Sequence, residues 1–156
     1  MKIFISHKLE DESIALILNQ ELKKRGIETY LDTLDSLTSN DGKVLTEHIK
    51  NAMKDCTDII VVMSEKTKNS QWVPFEIGMS AQRDMPTVTF LVDNVELPEF
   101  LEYWPRLKRF SDVDKYILAK KETEKHIHLR GIYESATAIS DTERFYQILK
   151  SELKEW

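Results

Sequence analysis

Asp58-Ile59-Ile60-Val61-Val62-Met63-Ser64 is an unbroken apolar run between a carboxylate and a hydroxyl. A run this short suits a strand better than a helix. Its lack of polar alternation implies burial on both faces, as in the middle of a parallel sheet. Working outward, Lys2-Ile3-Phe4-Ile5-Ser6 is a second short run of β formers, and Ile27-Glu28-Thr29-Tyr30-Leu31 alternates as a strand does. Thr87-Val88-Thr89-Phe90-Leu91-Val92 supplies a fourth strand.

Helical patterns separate these runs. After a loop from His7 to Glu10, Asp11 is placed to N-cap a helix reaching Arg25. Ile14, Leu18 and Leu22, with Ile17 alongside, form its apolar stripe. Lys23, Lys24 and Arg25 crowd the last turn, where positive charge is favoured, and Gly26 ends it. A second helix spans about Lys43 to Lys54, with Val44/His48, Leu45/Ile49 and His48/Ala52 at helical spacing. Between the second strand and that helix, Thr33 to Gly42 reads as a long polar loop carrying Ser36, Ser39, Asn40 and Asp41, a length usually kept for function. A third helix follows the Asp58–Ser64 strand and runs to about Arg83, with Gly78, Ser80 and Ala81 small enough for close packing on the sheet.

Strands alternating with helices define an open α/β sheet. Ligands of such sheets bind beyond the carboxyl ends of the strands. That rule gathers Ser6, His7, Asp32, Ser64 and their loops on one edge, and the third helix begins there too. Its entry, Asn69-Ser70-Gln71-Trp72-Val73-Pro74-Phe75-Glu76, puts an indole four residues before a carboxylate. Proline is favoured at the first helical position, which makes Pro74 the start and sets Glu76 in the first turn, near the positive end of the helix dipole. A stacking plane beside a fixed negative charge suits a substrate that becomes a flat cation. The same residues also fit a helix cap and a core tryptophan.

Asp93 to Leu107, with Pro98, Trp104 and Pro105, reads as an irregular connection with a short helix, and Arg106 to Phe110 as a segment containing a short edge strand. Asp112 to about Arg130 is helical, with Tyr116, Ile117 and Ile127 on its apolar side. Ser140 and Glu143 form a capping box for a last helix carrying Phe145, Ile148, Leu149 and Leu153. The 156 residues are read as a single domain with a core over about 1–110 and a helical region over 111–156. A net charge of −5 argues against a general nucleic-acid binder. The absence of a tripartite leader and of any apolar run of about 18 residues gives the expectation of a cytoplasmic protein with no membrane partner. Cys56, the only cysteine, reads as a packed, inert thiol.

The ordered set resembles the TIR domains. Ile3-Phe4-Ile5-Ser6-His7 looks like their first-strand box. Tyr30-Leu31-Asp32 with the polar loop to Gly42 is similar to the end of their second strand and the loop after it. Ser64 and Trp72-Val73-Pro74-Phe75-Glu76 look like the stretch carrying the glutamate of TIR enzymes. The resemblance covers about residues 1–110, and the short stand-alone form is similar to bacterial TIR proteins of Thoeris-type anti-phage systems. It implies a flavodoxin-like parallel sheet with helices on both faces, here with extra C-terminal helices. It also implies cleavage of NAD between ribose and nicotinamide to ADP-ribose, a cyclic isomer or a conjugate used as a signal to an effector protein. NAD is then a substrate, with no cofactor or metal. Oligomers form through TIR–TIR contacts, the loop after the second strand helping to join subunits. Glu76 would be the catalytic acid, with Trp72 stacking on nicotinamide or adenine. Ser6, His7 and Lys8 would contact the pyrophosphate, and Asp32 and Ser64 would line the substrate site.

Other readings stay open on the residues. A non-catalytic TIR scaffold needs no acid in a cleft. A nucleoside deoxyribosyltransferase-like enzyme would also use a cleft glutamate. A phosphorelay receiver is disfavoured, because the strand ending in Met63-Ser64 offers no aspartate there. The four glycines fall in neither dinucleotide-binding nor Walker spacing, and no Gly-x-Ser-x-Gly elbow exists. His126-Ile127-His128 is too sparse to define a metal site.

Overall fold

The computed structural model describes residues 1–32, 41–130 and 139–155, with residues 129 and 130 described by backbone alone. The elements are strand β1 (Lys2–Ser6), helix α1 (Glu12–Lys24), strand β2 (Glu28–Leu31), helix α2 (Gly42–Lys54), strand β3 (Asp58–Met63), helix α3 (Trp72–Gln82), strand β4 (Thr87–Leu91), strand β5 (Arg106–Leu107), helix α4 (Asp112–Arg130) and helix α5 (Asp141–Leu153). The strands form one parallel sheet in the order β2-β1-β3-β4-β5. This is the flavodoxin-like order, with its switch point between β1 and β3.

The uninterrupted apolarity of β3 matches its place, since every residue from Asp58 to Met63 is buried. Alternation sorts the strands' side chains onto two faces. Ile3, Ile5, Ile60, Val62, Val88, Phe90 and Leu107 pack with Leu18 and Leu22 of α1, Tyr116 of α4 and Phe145 and Leu149 of α5. Phe4, Ile59, Val61 and Met63 pack with Leu45, Ile49 and Met53 of α2 and Val73 and Ile77 of α3. Helices therefore cover both faces, and the C-terminal pair belongs to the α1 side. Among the described residues no helix is long and apolar enough to cross a membrane.

Several local expectations are corrected. α3 starts at Trp72, so Pro74 is its third residue and not its first. The position is tolerated because the first four N–H groups of a helix have no intrahelical acceptor. Glu76 consequently lies beyond the first turn, and the dipole argument for its ionisation loses force. On the same helix Gly78 and Ala81 are exposed, and only Ser80 of the three small residues is buried. In α1, Ile17 is 44% exposed and Ala15 takes its place on the buried stripe. In α4, Ile127 points outward at 43% exposure while Tyr116 is fully buried. The capping box of α5 is half made. Ser140 Oγ accepts the Glu143 N–H at 3.1 Å, but the Glu143 carboxylate is taken by the Tyr103 hydroxyl. Gly42 opens α2, with Asp41 as N-cap accepting the Lys43 N–H at 2.9 Å. Residues 33–40 of the expected polar loop lie outside the described residues.

Other expectations hold. Gly26 follows α1 with a φ of 77°, the left-handed conformation that favours glycine. Cys56 is buried, donates its thiol to the Ala52 carbonyl at 3.4 Å, and has its pKa pushed up by burial.

The amino edge of the sheet holds a buried charge. Asp58 accepts the Tyr116 hydroxyl at 2.7 Å and the Thr57 hydroxyl at 2.5 Å, and pairs with Lys120. Lys120 Nζ also lies 4.5 Å from the Phe145 ring centroid, so one contact set joins β3, α4 and α5. Removing one partner of a buried ion pair strands the other. Asp58→Ala is expected to lower unfolding free energy by about 3 kcal/mol in denaturant titration. A loss under about 1 kcal/mol would reduce the cluster to the value of a surface pair.

Candidate functional site

The carboxyl end of β1 places Ser6 one step beyond Ile5, on the Phe4 face of the sheet. That face carries α2 and α3. The buried residues of α3 are Val73, Glu76, Ile77 and Ser80, one helical face at core spacing. Glu76 thus occupies a position where a core residue would stand. It is 1% exposed, and its Oε2 accepts the Ser6 hydroxyl. The bond joins the end of β1 to the helix after β3, which is the switch point of the sheet.

β2 extends this group. Tyr30 is paired in register with Phe4, and their rings stack at 5.4 Å. Asp32, two residues on, shares that face, is 3% exposed, and donates its N–H to the Ile5 carbonyl at 3.0 Å. The Tyr30 hydroxyl lies 2.9 Å from Nε2 of His48 on α2. Burial raises the pKa of the Tyr30 phenol, and the charges of Asp32, Cys56 and Glu76 raise it further. Ser6, Tyr30, Asp32, His48 and Glu76 therefore form one polar neighbourhood under α2 and α3. Trp72, one turn before Glu76, is half-buried against the apolar cluster and meets the edge of Phe75 at 5.8 Å.

The remaining sequence-expected residues are placed differently. His7 is buried at 8% exposure. Lys8 pairs with Glu10 at 3.0 Å within its own loop. Ser64 follows Val62 in alternation and faces the α1 side, opposite to Ser6 and Glu76. Its hydroxyl goes to Asp11. Asp11 occupies the N-cap place of α1 as expected, yet its side chain does not cap the helix. Oδ2 accepts the Ser64 hydroxyl and, at 2.5 Å, the Thr67 hydroxyl.

Sequence reasoning did not single out Tyr30 or His48 as site residues, nor Asp11 and Thr67 as partners of Ser64. The alternation of β2 could have found Tyr30, since it shares parity with Asp32. Nothing local announces Asp11–Ser64 or Asp11–Thr67, which join residues 53 and 56 apart in the chain.

A family model described as TIR domain matches residues 3–128, and the chain belongs to the TIR domain family. The match passes the expected limit near residue 110 and takes in most of α4. The chain is 28% identical over 79 residues to the "Probable 3' cyclic ADP-D-ribose synthase ThsB'" of Bacillus cereus (strain MSX-D12), covering 49% of this chain and 41% of that protein. It is 25% identical over 147 residues to the "Probable 2' cyclic ADP-D-ribose synthase BdTIR" of Brachypodium distachyon, covering 87% of this chain and 61% of that protein. The matched stretches thus span less than two thirds of either relative's length, 41% of the first and 61% of the second. Among solved structures, the TIR domains of the activated Roq1 resistosome recognising the effector XopQ align with a TM-score of 0.48 at 16% identity, covering 96% of this chain and 83% of theirs.

The polar neighbourhood can be tested by titration. A nearby negative charge disfavours tyrosinate, so neutralising one should lower the phenol pKa. Glu76→Gln and Asp32→Asn are each expected to move the Tyr30 transition toward the ordinary tyrosine range. The measurement is ultraviolet difference spectroscopy, with Tyr30→Phe as the subtracting control. An unmoved transition in both variants would separate Tyr30 from the carboxylates.

Proposed function

We propose that this TIR protein cleaves NAD at the bond between ribose and nicotinamide, with Glu76 as the catalytic carboxylate. The observation that carries the reading is a glutamate in a core position of α3, 1% exposed and hydrogen-bonded to Ser6 at the β1–β3 switch point. The two relatives named as cyclic ADP-ribose synthases support it, because both names describe products of NAD cleavage.

The chemistry suits a single acid. The pyridinium nitrogen takes the electron pair of the breaking bond, so nicotinamide leaves neutral and needs no proton. The ribose C1' is left electron-deficient, an oxocarbenium-like centre. A fixed carboxylate lowers the energy of that cation, or forms a transient ester with it. Attack by water then gives ADP-ribose, with its proton released to solvent. Attack by a hydroxyl or ring nitrogen of the same molecule closes a cyclic isomer. Ser6 holds the rotamer of Glu76, and Trp72 offers an indole plane to a flat ring. His7, Lys8 and Asp32 serve as substrate contacts, and Ser64 supports the loop after β3. Assembly through TIR–TIR contacts and release of the product to a receiving effector complete the proposal, as a step in anti-phage signalling.

Glu76→Gln keeps size and hydrogen bonding but removes the charge. NAD consumption by concentrated protein, followed by mass spectrometry, is expected to fall by about a hundredfold or more with the circular dichroism unchanged. Full turnover by the variant would remove Glu76 from the chemistry. A wild-type protein that never consumes NAD would favour a scaffold. Trp72→Ala is expected to raise KM for NAD by about tenfold, the loss of one aromatic stacking contact. An unchanged KM would make Trp72 only a packing residue.

A further inference from the structure

We propose that Asp11 is a positioning residue for Glu76, acting through the connection between β3 and α3. This rests on the NAD-cleaving reading above.

Asp11 is buried at 5% exposure, in the turn before α1. It stands where a carboxylate ordinarily caps the following helix. That use is forgone. Oδ2 instead accepts two hydroxyls from the far side of β3, Ser64 and Thr67. Ser64 Oγ in turn accepts the N–H groups of Lys66 at 3.1 Å and Thr67 at 3.2 Å. Residues 64–67 are therefore wrapped on one carboxylate oxygen.

The wrapping continues into α3. The Thr67 carbonyl accepts the Ser70 N–H at 2.8 Å, and Ser70 Oγ accepts the Val73 N–H at 3.3 Å. Val73 lies in the first turn of α3, the helix that carries Trp72 and Glu76. A continuous series of hydrogen bonds thus leads from Asp11 to the start of that helix. The bonds to the carboxylate are charge-assisted and shielded from water, which makes them the strongest links in the series.

The geometry divides the work between two faces of the sheet. Ser6 holds Glu76 from the α3 side. Asp11 holds the end of β3 and the following turn from the α1 side. Small displacements of a catalytic group cost large factors in rate, so a clasp that fixes the entry of α3 bears on kcat more than on substrate affinity.

The test compares Asp11→Ala, Thr67→Val and Thr67→Ser with Asp58→Ala, which loosens the opposite edge of the sheet without touching this connection. All are assayed for NAD loss at a temperature where each is folded, and by hydrogen exchange of peptides covering 64–76. Asp11→Ala and Thr67→Val are expected to lower kcat by about tenfold or more, with KM within about twofold of wild type, and to speed exchange over 64–76. Thr67→Ser should restore both, because it keeps the hydroxyl. Wild-type kcat and exchange in folded Asp11→Ala would overturn the proposal, as would an equal loss of kcat in Asp58→Ala. If wild-type protein consumes no NAD, exchange still decides. Faster exchange over 64–76 in Asp11→Ala then supports the clasp while the enzymatic reading fails, and unchanged exchange removes both.

Discussion

The structure turns on a carboxylate placed inside a protein. Glu76 sits on the buried face of α3, among Val73, Ile77 and Ser80, and meets the Ser6 hydroxyl at the end of β1. Burying a carboxylate is costly, and the cost falls only when donors reach it. That requirement fixes the relation between two elements far apart in the chain. β1 must end where its hydroxyl meets α3, and α3 must present its fifth residue to β1. The parallel pairing of Ser6 with Val61 meets the first demand, since it sets the ends of β1 and β3 side by side.

The period of two along the strands then decides which polar groups can meet. Ser6 shares a face with Phe4, and Tyr30 and Asp32 share that face through the β1–β2 register. Ser64 belongs with Ile60 and Val62 and goes to the other side, where Asp11 receives it. Two serines closing adjacent strands therefore do different things. The same edge carries a carboxylate on each face, with hydroxyl donors aimed at both.

The sheet and its helices were legible because they are written in short-range periodicity. The apolar run of Asp58–Met63 identified a central strand, and the boundaries of β1 and α4 match their expected residues. Errors arose where a local rule competed with packing. Pro74 suggested a helix start, but Trp72 and Val73 extend the helix backward to bury Val73 against the α2 side of the sheet. Ser140 and Glu143 matched a capping box, but Tyr103, distant in sequence, takes the glutamate. The meeting of Ser6 with Glu76 was half visible. Topology put both at one edge, while their contact depends on strand parity and on the spacing of Val73, Glu76, Ile77 and Ser80. That spacing was available in the sequence, and it marks Glu76 as buried without any appeal to the helix dipole.

The two ends of the sheet each hold a buried acid against hydroxyl donors. At the amino edge Asp58 has Lys120 as a counter-ion, with Tyr116 and Thr57 filling its remaining acceptor sites. Its charge is cancelled locally, and the cluster serves to hold α4 and α5 against β3. At the carboxyl edge the Ser6 hydroxyl donates to Glu76, and that bond orients the carboxylate toward the end of β1. A carboxylate held in one orientation in surroundings of low dielectric acts strongly on a cation brought to it. In the proposed cleavage of NAD, the sugar losing its neutral base is such a cation for the moment in which the bond breaks.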